Sequence, residues 1–177
     1  NLEKVFLAGH SLGGAISLNF TLQYPNLVER LILLNSAFTR MPLSIRLGSL
    51  GFLPHLIRKV SFPFVKASAK RAFYDHSKIT NRWLVISHRY INEPGALRVM
   101  FSIIRSNMTL FGLRKEFRDL ISSKVAYMTT PTLILYGEKD RVVPNINSKI
   151  LHQALSVSEC IPFENCAHEL QYECFKE

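Results

Sequence analysis

No apolar run in this 177-residue chain approaches the roughly 20 residues that a helix needs to cross a bilayer, so a membrane-spanning helix is not expected. Cysteine is scarce. Cys160, Cys166 and Cys174 are the only three, crowded at the end of the chain, with no CxxC and no metal-type partner at short spacing. That pattern speaks against a zinc site, and no metal or organic cofactor is expected. Three free thiols in a reducing compartment are preferred to one disulfide with a leftover, which favours the cytoplasm. The chain opens on Asn1 just ahead of a strand, so a leader would lie upstream and the compartment stays otherwise unassigned.

Acidic residues are also few, 13 against 22 lysines and arginines, for a net charge of +9. The imbalance sits in one stretch. From Ala37 to Lys124 there are 16 Lys and Arg against 4 Asp and Glu, a local charge of +12, while the remainder carries −3. No recognised binding motif accompanies this charge, so nucleic acid is not expected as a partner. The cations alternate with apolar residues, as in Leu56-Ile57-Arg58-Lys59-Val60, which reads as the solvated face of helices. Peripheral contact with an anionic membrane surface is a further expectation. At 47% hydrophobic and 20% charged, the composition is that of a chain with a packed core.

Val5-Phe6-Leu7-Ala8 reads as a buried parallel strand, Gly13 to Tyr24 as a mostly buried helix stopped before Pro25, and Leu31 to Leu34 as a second strand. Together they make a βαβ unit. Residues from about 40 to 122 show no convincing strand, only helical stretches punctuated by Pro42, Pro54, Pro63 and Pro94. Thr132 to Tyr136 restores the strand signature. Pro144 to Leu155 reads as a helix with proline in its first turn. A weaker strand follows around Glu159 to Phe163, and Glu169 to Glu177 starts another helix. The outline is an α/β core interrupted by a helical insertion.

Gly9-His10-Ser11-Leu12-Gly13 matches G-x-S-x-G, and Gly14 follows. A sharp strand-to-helix turn presents the serine hydroxyl, small neighbours avoid collision, and the Leu12 N–H at the helix start points toward a reacting carbonyl. The bland alternative is a glycine-rich turn without chemistry.

Ser11 then needs a base and an orienting acid. Of the three aspartates, Asp75 and Asp119 fall in the helical insertion, whereas Asp140 follows the strand ending at Tyr136, where α/β proteins gather their sites. Glu138 and Glu164 are its competitors, and turn capping is its bland role. Of six histidines, His10 flanks the nucleophile and is expected to point away from it. His55, His76 and His88 lie in the insertion, His152 lies mid-helix, and His168 lies in a loop 28 residues beyond Asp140. The order Ser11, Asp140, His168 suits this fold.

Val5 to Gly14, Pro131 to Pro144 and Cys166-Ala167-His168 resemble the α/β-hydrolase superfamily of esterases, lipases and carbon–carbon hydrolases. The resemblance implies a partial hydrolase core in residues 1–36 and 125–177, with a helical cap or lid in residues 37–124. It also implies that several strands, and one oxyanion-hole donor, belong to a region ahead of this chain. The chain is accordingly expected to be the C-terminal portion of a longer protein, with an exposed apolar edge at Val5–Ala8. Ala167 and Leu170 depart from the family's frequent glycine and proline.

These features imply a catalytic triad of Ser11, Asp140 and His168, with Leu12 in the oxyanion hole. Phe52, Phe62, Phe64, Phe73, Trp83, Phe101 and Phe111 are candidates to line an apolar pocket, ordinary packing being the alternative for each. The expected substrate is a small-molecule carboxylic ester with an apolar acyl or alcohol part, cleaved through an acyl-enzyme. Hydrolysis of a carbon–carbon bond in a vinylogous diketone, by the same triad, and a non-catalytic hydrolase-like fragment are the alternatives.

Overall fold

Leu, Ile and Val in unbroken short runs lack the polar alternation of a half-exposed sheet, so they settle as interior strands of a parallel sheet. A computed structural model describes residues 3–174, the side chains of Pro54, Phe117 and residues 120–122 excepted. The chain runs through β1 (Val5–His10), α1 (Leu12–Gln23) and β2 (Val28–Leu34) into a helical stretch. That stretch holds α2 (Leu43–Arg46), α3 (Leu53–Leu56), α4 (Phe62–Ala72), α5 (Asn81–Ile91) and α6 (Ala96–Asn107). A small hairpin of β3 (Met108–Thr109) and β4 (Gly112–Leu113) and helix α7 (Lys115–Lys124) complete it. The core resumes with β5 (Thr132–Gly137), α8 (Ile146–Ala154), β6 (Ser158–Phe163) and α9 (Leu170–Glu173).

Strands β1, β2, β5 and β6 form one parallel sheet in that spatial order. Its register sets Ala8 beside Ile32, Leu33 beside Ile134, and Ile134 beside Cys160. Leu31, Leu33 and Ile134 are buried, and Leu18 of α1 and Leu151 of α8 close over them in one apolar cluster. A second cluster, Val65, Ala69 and Leu84, lies between α4 and α5. Ser61 and Thr80 start these two helices. Their hydroxyls accept from the Phe64 and Trp83 N–H groups, satisfying donors that the first helical turn leaves open.

The exposed apolar edge expected at Val5–Ala8 is present: β1 pairs with β2 on one side only, and Phe6 is 67% exposed. Other expectations change. The stretch expected to lack strands contains the β3–β4 hairpin, two residues a side and too short for a periodic signal. Pro144 stands ahead of α8 rather than in its first turn, with Asn145 as the boundary residue. The last helix is one turn long, and residues 175–177 lie outside the described ones.

The cysteine reading is corrected too. Cys166 and Cys174 are joined, with Cα atoms 6.6 Å apart, leaving Cys160 as the free thiol among the described residues. The cause is the tight return of the chain into α9. There the Glu173 carboxylate accepts the Ala167 N–H at 2.7 Å and draws the ends of this short loop together.

Candidate active site

The turn out of β1 puts Ser11 at φ 54°, ψ −121°, a conformation that side-chain-bearing residues adopt only when held there. Four backbone bonds hold it: Ser11 N–H donates to Leu34 O, and Ser11 O accepts from the N–H groups of Gly14, Ala15 and Ala37. As the first residue of α1, Leu12 has an N–H with no acceptor inside the helix, and the residue lines the same cavity as Ser11.

Asp140 sits in the loop leaving β5. Its Oδ1 accepts from the Val142 and Val143 N–H groups at 2.7 and 2.9 Å, and its Oδ2 faces His168 Nδ1 at 2.8 Å. The Asp140 side chain is 1% exposed and that of His168 8%. His168 Nε2 stands 3.0 Å from Ser11 Oγ. The structure thus brings Ser11, His168 and Asp140 into one hydrogen-bonded line. Asp140 does cap its turn, through Oδ1, while Oδ2 is left for histidine. Glu138 and Glu164 are exposed, and the carboxylate that pairs with His168 is that of Asp140.

Of the other histidines, His55 belongs to α3, His88 to α5 and His152 to α8, and His76 begins a short 3-10 turn. His152 Nδ1 pairs with Ser158 Oγ, away from the site. His10 packs against the histidine of the line: its ring lies 4.7 Å from the His168 ring, and its Nε2–H donates to His168 O at 2.8 Å. Burial pushes the His10 imidazole below its ordinary value, and the neighbouring His168 pushes the same way. Burial pushes the adjacent Glu169 carboxyl up.

The His10 shift has a measurable consequence. Because its folded value lies below the ordinary imidazole value of about 6.5, the folded state resists a proton that the unfolded chain accepts. This contribution to stability is whole above that value and is lost as pH falls through the lowered folded value. A His10→Gln variant is expected to show a shallower fall of melting midpoint on acidification than the parent. Equal slopes would remove His10 from the acid response.

Two residues that the sequence reading did not single out build the frame. Asn35, just past β2, adopts φ 43° and is buried. Its Nδ2 donates to Ala167 O and His168 O at 3.0 and 2.8 Å, and its Oδ1 accepts the Gly137 N–H at 2.8 Å. Glu173, also buried, accepts from the Tyr74 and Asp75 N–H groups with Oε1, as well as from Ala167 with Oε2. With the His168 and Glu169 N–H groups donating to Ala72 O, the end of α4 is tied directly to the histidine loop.

Beyond Ser11 opens a cavity of about 650 Å³ between the sheet and the helical stretch. Its walls are mostly aliphatic and thioether, including Met41, Ile45, Leu97, Met100, Phe101 and Ile104. The aromatic list narrows sharply. Phe64 and Phe101 line the cavity, and Phe52 and Phe62 are exposed. Phe73 and Trp83 pack edge to face on each other, and Phe111 is 92% exposed. The signal for the true lining was the spacing Leu97, Met100, Phe101, Ile104 along α6, one stripe of a helix. Among the described residues no group of three or more His, Cys, Asp or Glu is placed to hold a metal ion. None of the described helices is long and apolar enough to cross a membrane.

A parallel sheet with serine at a strained strand–helix turn, and acid and histidine on the loops after later strands, defines an α/β-hydrolase fold protein. The family model described as serine aminopeptidase, S33 matches residues 1–174, and the chain belongs to that family.

Among individual proteins, the 2-hydroxy-6-oxo-2,4-heptadienoate hydrolase of Pseudomonas putida is 29% identical over 178 residues, covering 97% of this chain and 59% of that one. The 2-hydroxy-6-oxo-6-phenylhexa-2,4-dienoate hydrolase of Rhodococcus sp. strain RHA1 has a similar fold, with TM-score 0.75 at 20% identity over 99% of this chain and 61% of its own. A putative lipase from Acinetobacter baumannii gives TM-score 0.75 at 23% identity, over 98% and 57%. The chain therefore spans about three fifths of the length of these relatives.

Proposed function

We propose that the protein is a serine hydrolase in which Ser11 attacks an acyl carbonyl, with a carboxylic ester bearing an apolar acyl or alcohol part as substrate. The observation that carries this reading is the unbroken line from Ser11 Oγ through His168 to Asp140 at the floor of an apolar cavity. With Nδ1–H donated to Asp140, the His168 Nε2 lone pair is the acceptor for the serine proton. His168 takes that proton as the Oγ–carbonyl bond forms, and Asp140 stabilises the imidazolium. The proton passes to the leaving alcohol as the acyl–oxygen bond breaks. Water, activated by the same imidazole, then releases the acid and regenerates Ser11. The Leu12 N–H is one donor to the oxyanion.

A second reading has its own support. The Pseudomonas putida and Rhodococcus relatives are named as hydrolases of 2-hydroxy-6-oxo-dienoates, and Lys59 and Asn107 are among the few polar residues of a mostly apolar lining. The same triad then serves to cleave a carbon–carbon bond beside a ketone. Parallel rates on a medium-chain nitrophenyl ester and on a 2-hydroxy-6-oxo-dienoate separate the two.

The test of the shared mechanism is intact-mass labelling with a fluorophosphonate. One adduct is expected per folded chain, at Ser11, and none on Ser11→Ala. A folded protein that stays unlabelled at Ser11 would sink both enzymatic readings and bring forward a non-catalytic role.

A further inference from the structure

We propose that the corner between α3 and α4 is a docking surface for an anionic lipid bilayer, set at the mouth of the apolar cavity. Ile57 and Phe64 line the cavity and are also exposed to solvent, at 37% and 63%. Phe52, Leu56 and Phe62 beside them stand 56%, 71% and 39% exposed. The approach to α4 is pinned at one point: Asn92 accepts the Val60 N–H and donates to Val60 O.

Charge identifies the occupant. Residues 37–74 contain seven Lys and Arg and no Asp or Glu. Arg58 and Lys59, at the rim, are exposed and take part in no ion pair among the described residues. Arg105 of α6 brings its guanidinium 3.7 Å from the point where a side chain on Gly51 would begin, next to Phe52. Protein interfaces are depleted of lysine at their centres, whereas exposed Phe and Leu among unopposed cations, with no acids, suit the boundary between headgroups and acyl chains. Phe52, Leu56 and Phe62 enter that boundary while Arg58, Lys59 and Arg105 meet lipid phosphates. If the hydrolase reading holds, an apolar substrate dissolved in the bilayer reaches Ser11 without crossing water, but the docking itself does not depend on catalysis.

The test uses the protein carrying Ser11→Ala, so that binding is measured without turnover, sedimented with vesicles of phosphatidylcholine alone or mixed with phosphatidylglycerol. Binding is expected on the mixed vesicles, much less on phosphatidylcholine, and weaker as salt rises. Each lost cation lowers partitioning about fivefold, so Arg58→Gln with Arg105→Gln lowers it about 25-fold. Leu56→Ser with Phe52→Ser lowers it as well, and circular dichroism checks that every variant is folded. Equal binding to both vesicle types, binding untouched by the four substitutions, or no binding at all overturns the proposal. So does sedimentation as a dimer that Leu56→Ser dissociates, which would give the corner to a second copy of the chain. A protein that docks but resists fluorophosphonate in its Ser11 form keeps this surface and loses only the hydrolase reading.

Discussion

Under the proposed mechanism, Asp140→Asn is expected to lower kcat by about 10⁴-fold while leaving the chain folded, the size of effect seen when the same exchange is made in a serine protease. The reason lies in which oxygen does what. Asp140 Oδ1 is engaged by the Val142 and Val143 N–H groups, so an asparagine keeps its carbonyl oxygen there and turns its amide nitrogen toward His168. An N–H then faces an N–H. The imidazole resolves the conflict by moving its proton to Nε2, and Nε2 can no longer accept from Ser11, 3.0 Å away. Thermal unfolding should change little, because both turn bonds survive. Asp140→Ala differs, since it strands two backbone donors at a cost of about 1–3 kcal/mol for each one left buried and unpaired. Paired kcat and denaturation measurements on the two variants distinguish loss of tautomer from loss of the turn. An asparagine variant retaining most of its kcat would mean that Asp140 orients nothing.

The parts visible in the sequence were those set by local rules. Leu31 to Leu34 and Thr132 to Tyr136 are strands because apolar runs of that length have nowhere to go but a sheet interior. Ser11, Asp140 and His168 stood out because each follows a strand and the order is restrictive. What stayed hidden depends on contacts between distant residues. Asn35 is a polar residue after a buried strand, which marks a turn, but its bonds reach 102 to 133 positions along the chain and no local pattern encodes them. Glu173 looks like a surface helix residue until α4 delivers the Tyr74 and Asp75 N–H groups to it. His10 was assigned from the turn alone, and the position of its ring was decided by the returning His168 loop. The aromatic residues misled for a related reason. Size made them conspicuous, while much of the cavity wall went to the stripe of Leu97, Met100, Phe101 and Ile104 on α6.

The glycines around the Ser11 turn and beyond β5 are not equivalent, and substituting each by alanine should separate them. A β-carbon on Gly9 would lie 2.5 Å from both Gly13 O and Ser17 Oγ, and one on Gly14 would lie 1.8 Å from the buried Ser36 Oγ. At Gly137, beyond β5, it would lie 2.2 Å from Ala167 O and 2.5 Å from Cys166 O. No side-chain rotation relieves a clash with backbone, so the neighbouring segment must move. For Gly9 that segment is the start of α1, and for Gly137 it is the loop carrying His168. Gly13 is the exception, with nothing within 4 Å of an added β-carbon although it closes the G-x-S-x-G pattern.

Gly9→Ala, Gly14→Ala and Gly137→Ala are therefore expected to lose about 1–3 kcal/mol each, as overpacked positions do. Gly13→Ala, inside α1, should gain up to about 1 kcal/mol from helix propensity. Denaturant midpoints measure both. Fluorophosphonate labelling rates add the link to chemistry. They should fall most for Gly9→Ala and Gly137→Ala, which displace the serine and the histidine respectively, and least for Gly13→Ala. If Gly13→Ala proved as damaging as Gly9→Ala, the close approach that matters would be to something other than the described residues of this chain.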